Sequence, residues 1–128
     1  MSTLNVSNIT DGTTTVGTSY VVNGAAKAWV NFNGTGTVAI RDSQGVSGLV
    51  DNGTGDHNVN FTSSMDNGNY SIGGVSAHTS RYSVHFVTGS DRATGSVRTR
   101  PLYASNLYGG GTVHDASDTC LHIFGDLA

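Results

Sequence analysis

Between Ala26 and Asp42 the chain alternates apolar and polar residues, breaks at Asn33-Gly34-Thr35-Gly36, and alternates again. Side chains on opposite faces at every second residue mark a strand, and Gly and Asn at the break reach positive φ at little steric cost. The stretch therefore reads as a β-hairpin. The same grammar returns at Asp51-Asn52-Gly53-Thr54-Gly55-Asp56, ahead of Val59-Asn60-Phe61. In the first hairpin Ala28, Val30 and Phe32 share the face expected to be core, with Lys27, Trp29 and Asn31 on the other. An indole nitrogen needs an acceptor, so Trp29 belongs at a second packed layer or at an interface.

Further strands are predicted over Tyr20–Val22, Val38–Arg41, Val46–Val50, His57–Thr62, Asn69–Ile72, Arg81–Val87, Thr94–Leu102 and Thr119–Phe124. Pro101 should end or edge its strand, because it cannot donate to a ladder. In the last strand Leu121 and Ile123 oppose Cys120, His122 and Phe124. Both of its faces are apolar, which suits a central strand or a subunit contact and makes Phe124 a candidate interface residue. Short strands at this spacing, each bounded by Gly, Asn or Asp, predict an all-β fold: an antiparallel β-sandwich or jelly-roll-like barrel over residues 19–128, with no helix required. Residues 1–18 are polar and Thr-rich, with Leu4 and Val6 on one face. They read either as an extended N-terminal attachment arm, which makes Leu4 and Val6 interface candidates, or as a first strand of the sheet.

Composition narrows the function. Glycine, serine, threonine and asparagine fill nearly half of the 128 residues, there is no glutamate, and Lys27 is the only lysine. Charged residues make up 12%, about half the usual globular share, so hydroxyls and amides dominate the surface. A formal net charge of −3 gives no steering toward nucleic acid. Arg92, Arg98 and Arg100 form the one local basic group, expected on a solvated strand face or loop. A single cysteine, Cys120, excludes an intrachain disulfide and should pack as a small hydrophobe. No apolar run reaches membrane-spanning length and no secretory leader opens the chain, so cytoplasmic synthesis without membrane insertion is expected. Sandwich edges invite pairing, and one lysine and one proline protect them little, so self-assembly is expected.

The pattern points away from catalysis. Without Glu, a glycosidase would need two aspartates poised across a sugar, yet Asp51, Asp56, Asp115 and Asp118 sit in turns where Asp bonds its own backbone. His57, His78, His85, His114 and His122 show no metal-ligand spacing, and the Asp51–Asp56 loop lacks the length and terminal Glu of a calcium loop. No catalytic residue, metal or cofactor is expected. Tyr103, Asn106 and Tyr108, beside three glycines, pair aromatic faces with a short amide and are candidates for glycan contact. The alternative is that the tyrosines simply cover an apolar sheet end.

The run AKAWVNFNGTGTVAIRDS, followed by DNGTGDHNVNFTSSMDNGNYSI, resembles a small domain of bacteriophage tail-fibre and related virion proteins, notably of phages from aquatic and marine bacteria. The resemblance spans about Val22 to Ile72, and Phe124-Gly125-Asp126-Leu127-Ala128 is similar to the usual closing strand of those domains. It implies a non-enzymatic homotrimer located in the virion, joined to other tail or capsid proteins through the arm at 1–18. The sandwich would then touch a host surface glycan. The loops 73–81 and 102–118 depart from the shared framework and are the expected host contacts. A capsid decoration or head-fibre protein and a free carbohydrate-binding module are the alternative roles.

Overall fold

Alternation in the Ala28–Asn33 strand becomes burial: Ala28, Val30 and Phe32 are almost fully enclosed, while Trp29, Asn31 and Asn33 face outward and are only partly covered. The computed structural model describes the backbone of residues 1–78, 81–87, 89–104 and 111–128. Its elements are β1 (Asn8–Thr10), β2 (Thr15–Gly17), α1 (Thr18–Gly24), β3 (Ala28–Asn33), β4 (Ala39–Gln44), β5 (Val46–Gly53), β6 (Asp56–Phe61), β7 (Ser71–His78) and β8 (Arg81–Phe86). A 3-10 turn (Gly89–Asp91) follows, then β9 (Arg92–Ala93), β10 (Ser96–Ala104), β11 (Gly111–Val113) and β12 (Asp118–Phe124). The fold is all-β and its ladders are antiparallel. In space the main sheet runs β4-β3-β12-β7-β8-β10-β6-β5, with β9 and β11 also on β10.

That path folds over so that its two halves face each other. Ala28, Val30 and Phe32 of β3 and Leu121 and Ile123 of β12 form one core cluster with Val59 and Phe61 of β6 and Val97 of β10. Phe32 meets His57 of the opposite layer edge-on, with ring centroids 5.4 Å apart, and Phe61 meets Tyr70 at 5.7 Å. Each large side chain fully enclosed here stabilises the fold by about 1.5–3 kcal/mol. The layers are joined at one edge by the β4–β5 corner. Gly45 turns that corner at φ +68°, and a Cβ there would run into the Lys27 carbonyl oxygen.

β10 carries the chain between layers. Ser96–Thr99 pairs with β6, Arg100–Leu102 with β8, and Leu102–Ala104 with β11. Pro101 was expected to end or edge this strand. Instead it lies buried inside β10, in the gap between the β6 ladder, which ends at Thr99, and the β11 ladder, which begins at Leu102. A missing N–H costs no ladder bond where one partner has left and the next has not arrived.

Two further expectations are corrected. Tyr20–Val22 belongs to α1 rather than to a strand; no neighbouring strand pairs with it, and a helix satisfies its own backbone groups locally. The predicted loop 73–81 is largely strand, because β7 pairs with β12 along its length from Ser71↔Phe124 to Ala77↔Asp118. The sheet edges also carry their own protection: β4 is bulged at Arg41, opposite Asn31/Phe32 of β3, and β5 is bulged at Val46/Gly48 and at Asp51/Gly53. Bulges twist an edge away from further pairing, so the edges alone do not call for a partner. Among the described residues, no helix is long and apolar enough to cross a membrane.

Candidate interaction surfaces

Two surfaces gather the outward apolar residues. The first is residues 1–25. Ile9 and Val16 stand opposite each other in the β1–β2 hairpin, and Thr18 N–H donates to the Ser7 carbonyl at 2.9 Å, setting α1 directly after β2. Asp11 makes the hairpin turn, its carboxylate accepting from Thr13 N–H at 2.9 Å and Thr14 N–H at 2.8 Å. Those backbone donors, Thr14 first, hold its carboxyl below the usual carboxylate range. The Lys27 ammonium donates to the Val22 and Ala25 carbonyls at the helix end, where a cation is favoured. Nothing in this unit is buried. Leu4 is 83% exposed and Tyr20 78%, and Val6, Ile9, Val16, Val21 and Val22 are all exposed as well. A two-stranded hairpin and a two-turn helix are each marginal in water alone, so this unit lacks the burial that holds the sandwich.

The second surface is the outer face of β4-β3-β12-β7. Ladder register places side chains in rows across the four strands. One row is Gln44, Trp29, His122, Gly73, and the next is Asp42, Asn31, Cys120, Val75. Phe124 lies diagonal to Trp29 and opposite Ser71. Trp29 and Phe124, both expected at an interface, are thus brought to one face. Their sequence separation hides this, since only the β3–β12 ladder joins them. The indole Nε1–H of Trp29 donates to Gln44 Oε1 at 3.0 Å, which anchors the ring toward β4.

One end of this face is a closed polar knot. Arg41 Nη1 donates to Asn31 Oδ1 and Asp118 Oδ1, each at 3.1 Å, and Arg41 Nη2 reaches the Ser117 carbonyl. Asn31 Nδ2 in turn donates to Asp118 Oδ1 and to Cys120 Sγ, both at 3.2 Å. Cys120 was expected to pack as a buried hydrophobe; it lies half-covered on this outer face instead. Burial and then the Asp118 charge push its thiol up, so it remains protonated, a weak hydrogen-bonding group rather than a nucleophile. Phe124, at the other end, is 37% exposed, and Val75, on β7 opposite Cys120, is 66% exposed. Val75 and Gly73 were missed because they fall in the predicted loop; outward Ser71, Gly73 and Val75 were the available signal.

Arg98 and Arg100 of the basic group stand in ion pairs. Arg98 grips Asp56 with two bonds, the Nε one at 2.6 Å, and Arg100 holds the buried Asp91 through two more at 2.9 and 2.8 Å while its Nε lies 3.5 Å from Asp56. The Arg98 guanidinium holds the Asp56 carboxyl below its ordinary value, and Asp56 raises Arg98 in return.

Among the described residues, no three His, Cys, Asp or Glu side chains gather as a metal site. Of the expected glycan contacts, Asn106 and Tyr108 lie outside the described residues, and Tyr103 is described only as backbone, in β10 opposite Thr112. Compared with protein-family models, with curated proteins and with solved structures, the chain matches none.

Proposed function

We propose that this chain is a non-enzymatic virion structural protein, a short homotrimeric tail-fibre-like subunit held on its particle by the N-terminal segment and displaying the sandwich toward the host. The observation that carries the reading is the contrast within the chain. Residues 1–25 form a hairpin and helix with every large apolar side chain exposed, joined to a sandwich that buries its own. A segment of that kind is suited to being covered by other chains in an assembly. The tail-fibre-like pattern of Val22–Ile72 supplies the kind of assembly, and the number three comes from that resemblance alone.

The same contrast suits a capsid decoration protein, whose N-terminal segment would lie between capsid subunits. Particles lacking the chain separate the two roles: the fibre role predicts lost adsorption with intact heat resistance, and the decoration role predicts the reverse. The first test is the solution mass of the full chain by light scattering, beside a Leu4→Asp/Val6→Asp variant. A trimer supports the fibre reading, and its loss in the variant would assign assembly to the N-terminal segment. A monomer at all concentrations removes the homotrimer.

A further inference from the structure

Asn-Gly is turn chemistry in a protein of hairpins, but it is also a reactive pair, and the chain has four: Asn23-Gly24, Asn33-Gly34, Asn52-Gly53 and Asn67-Gly68. The backbone nitrogen that follows an asparagine can add to its side-chain carbonyl carbon, and glycine, lacking a Cβ, crowds that nitrogen least. We propose that Asn67-Gly68 is the site at which the folded sandwich modifies itself. Hydroxide takes the Gly68 N–H proton, the nitrogen bonds to Asn67 Cγ, and the side-chain nitrogen, protonated by water, leaves as ammonia. Water then opens the resulting succinimide at either carbonyl, giving aspartate or isoaspartate, with neither oxidant nor cofactor in the balance.

The fold separates the pairs by the state of the attacking nitrogen. Gly34 is buried and its N–H donates to the Ala116 carbonyl at 2.9 Å, while Asn33 Nδ2 donates to the Thr35 carbonyl at 2.8 Å and Asn33 Oδ1 accepts from Thr35 Oγ1 at 2.7 Å. Gly53 N–H donates to Asp51 Oδ1 at 2.9 Å, and Asn52 Nδ2 to Asn58 Oδ1 at 3.2 Å. Asn23-Gly24 ends α1, where the helix directs the Gly24 N–H toward the preceding turn. Asn67 instead lies exposed between β6 and β7, and the Gly68 N–H makes no hydrogen bond among the described residues. Its carbonyl is prepared as well. Asn67 Oδ1 accepts from the Asn69 N–H at 2.8 Å, a donor set against the negative charge that gathers on that oxygen as the nitrogen adds. Asn67 Nδ2 donates to Asp66 Oδ2, an exposed carboxylate, at 3.1 Å. Asn33 has a similar donor in Thr35, so the free nitrogen is what decides.

The same segment ties down the C-terminus. Met65 bridges to Leu127, Asp66 N–H donates to the Asp126 carbonyl at 2.8 Å, and Ala128 N–H donates to the Ser64 carbonyl at 3.0 Å. Asn67 and Asp126 line one recess of about 170 Å³ there. Either product adds a negative charge to that recess, and isoaspartate also inserts a backbone carbon one residue from the Asp66–Asp126 bond. The site is independent of the proposed role and applies equally to a fibre, a decoration protein or a free binding module.

The full chain would be aged in mildly alkaline buffer and mapped by peptide mass spectrometry, with electron-transfer fragmentation to tell isoaspartate from aspartate. Asn67 should convert at least about tenfold faster than Asn33 or Asn52, a barrier difference of about 1.4 kcal/mol. Aged in urea, where the fold no longer occupies any of these N–H groups, the three should convert at similar rates. Gly68→Ala tests the nitrogen itself. A Cβ there would meet only the Arg92 carbonyl oxygen, at 3.6 Å, an ordinary contact, so Tm should hold while conversion at Asn67 falls at least about tenfold. The proposal is overturned if Asn67 stays intact, if Asn33 or Asn52 keeps pace with it in the folded chain, if urea leaves the ranking as it was, or if Gly68→Ala leaves the rate unchanged. None of these outcomes touches the light-scattering mass of the full chain, so this site and the fibre reading can fail separately.

Discussion

The sandwich and the N-terminal hairpin–helix are built from similar residues and are stabilised in opposite ways. Val30, Val59 and Val97 are 1% exposed or less, whereas Val21 and Val22 are 46% and 59% exposed. The difference is not composition but the number of layers. A strand in the sandwich has a second sheet to face, and a lone hairpin beside a short helix has none, so its apolar side chains gain little from folding by themselves.

The sharpest way to break that comparison is to empty the core. Phe32→Ala should cost about 4 kcal/mol and abolish a cooperative melt near the wild-type Tm, as read by calorimetry. If it costs under about 1 kcal/mol, Phe32 does not anchor the two layers as described. Next comes the buried ion pair. Asp91→Asn leaves the half-buried Arg100 guanidinium without its two-bond partner and should cost about 3 kcal/mol in urea unfolding.

Acid should act on the sandwich through Asp56. Its folded pKa lies below the unfolded value of about 3.9, so its contribution is fully present above that value and is lost as pH falls through the folded pKa. Thermal stability should therefore decline below about pH 4, and Asp56→Asn should flatten that part of the profile while lowering stability at neutral pH. A profile unchanged by the substitution would show that Arg98 gains nothing from the pair. His57 sharpens the contrast from the other side. Its ring is fully buried, with no hydrogen bond to either nitrogen among the described residues. His57→Leu should raise stability by about 1 kcal/mol, measured by urea unfolding, because an apolar side chain there forfeits the edge-on contact with Phe32 but no hydrogen bond, and avoids desolvating two polar ring atoms.

The smallest effect belongs to the N-terminal unit. Tyr20→Ser and Val22→Asp should leave the Tm of dilute protein within the scatter of ordinary surface changes, about 0.5 kcal/mol, while altering the mass of any assembly. A large loss of Tm in dilute protein would mean that the helix is part of the fold's own core.

Much of this was legible residue by residue. Alternation assigned Ala28/Val30/Phe32 to the core face and put Val59 with Phe61, and Leu121 with Ile123, on one face of their strands; the apolar character of both faces of Thr119–Phe124 left a central strand or a subunit contact, and it lies between β3 and β7. Local turn chemistry gave the β5–β6 hairpin. These are properties of the chain within a few residues, and the periodicity of a strand writes them into sequence directly.

What sequence by itself determined was therefore the all-β character and which residues of each core strand share a face. Only the tertiary structure decided which strands meet: that Trp29, Gly73 and Phe124 share a face, that Pro101 can sit inside β10, that Arg98 and Arg100 divide Asp56 and Asp91, and that Tyr20–Val22 coils into a helix for want of a partner strand. The physical reason is range. Side-chain alternation is fixed by the local backbone, whereas ladder partners, ion pairs and the choice between strand and helix depend on groups brought from far along the chain by burial, which leaves no mark at any one position.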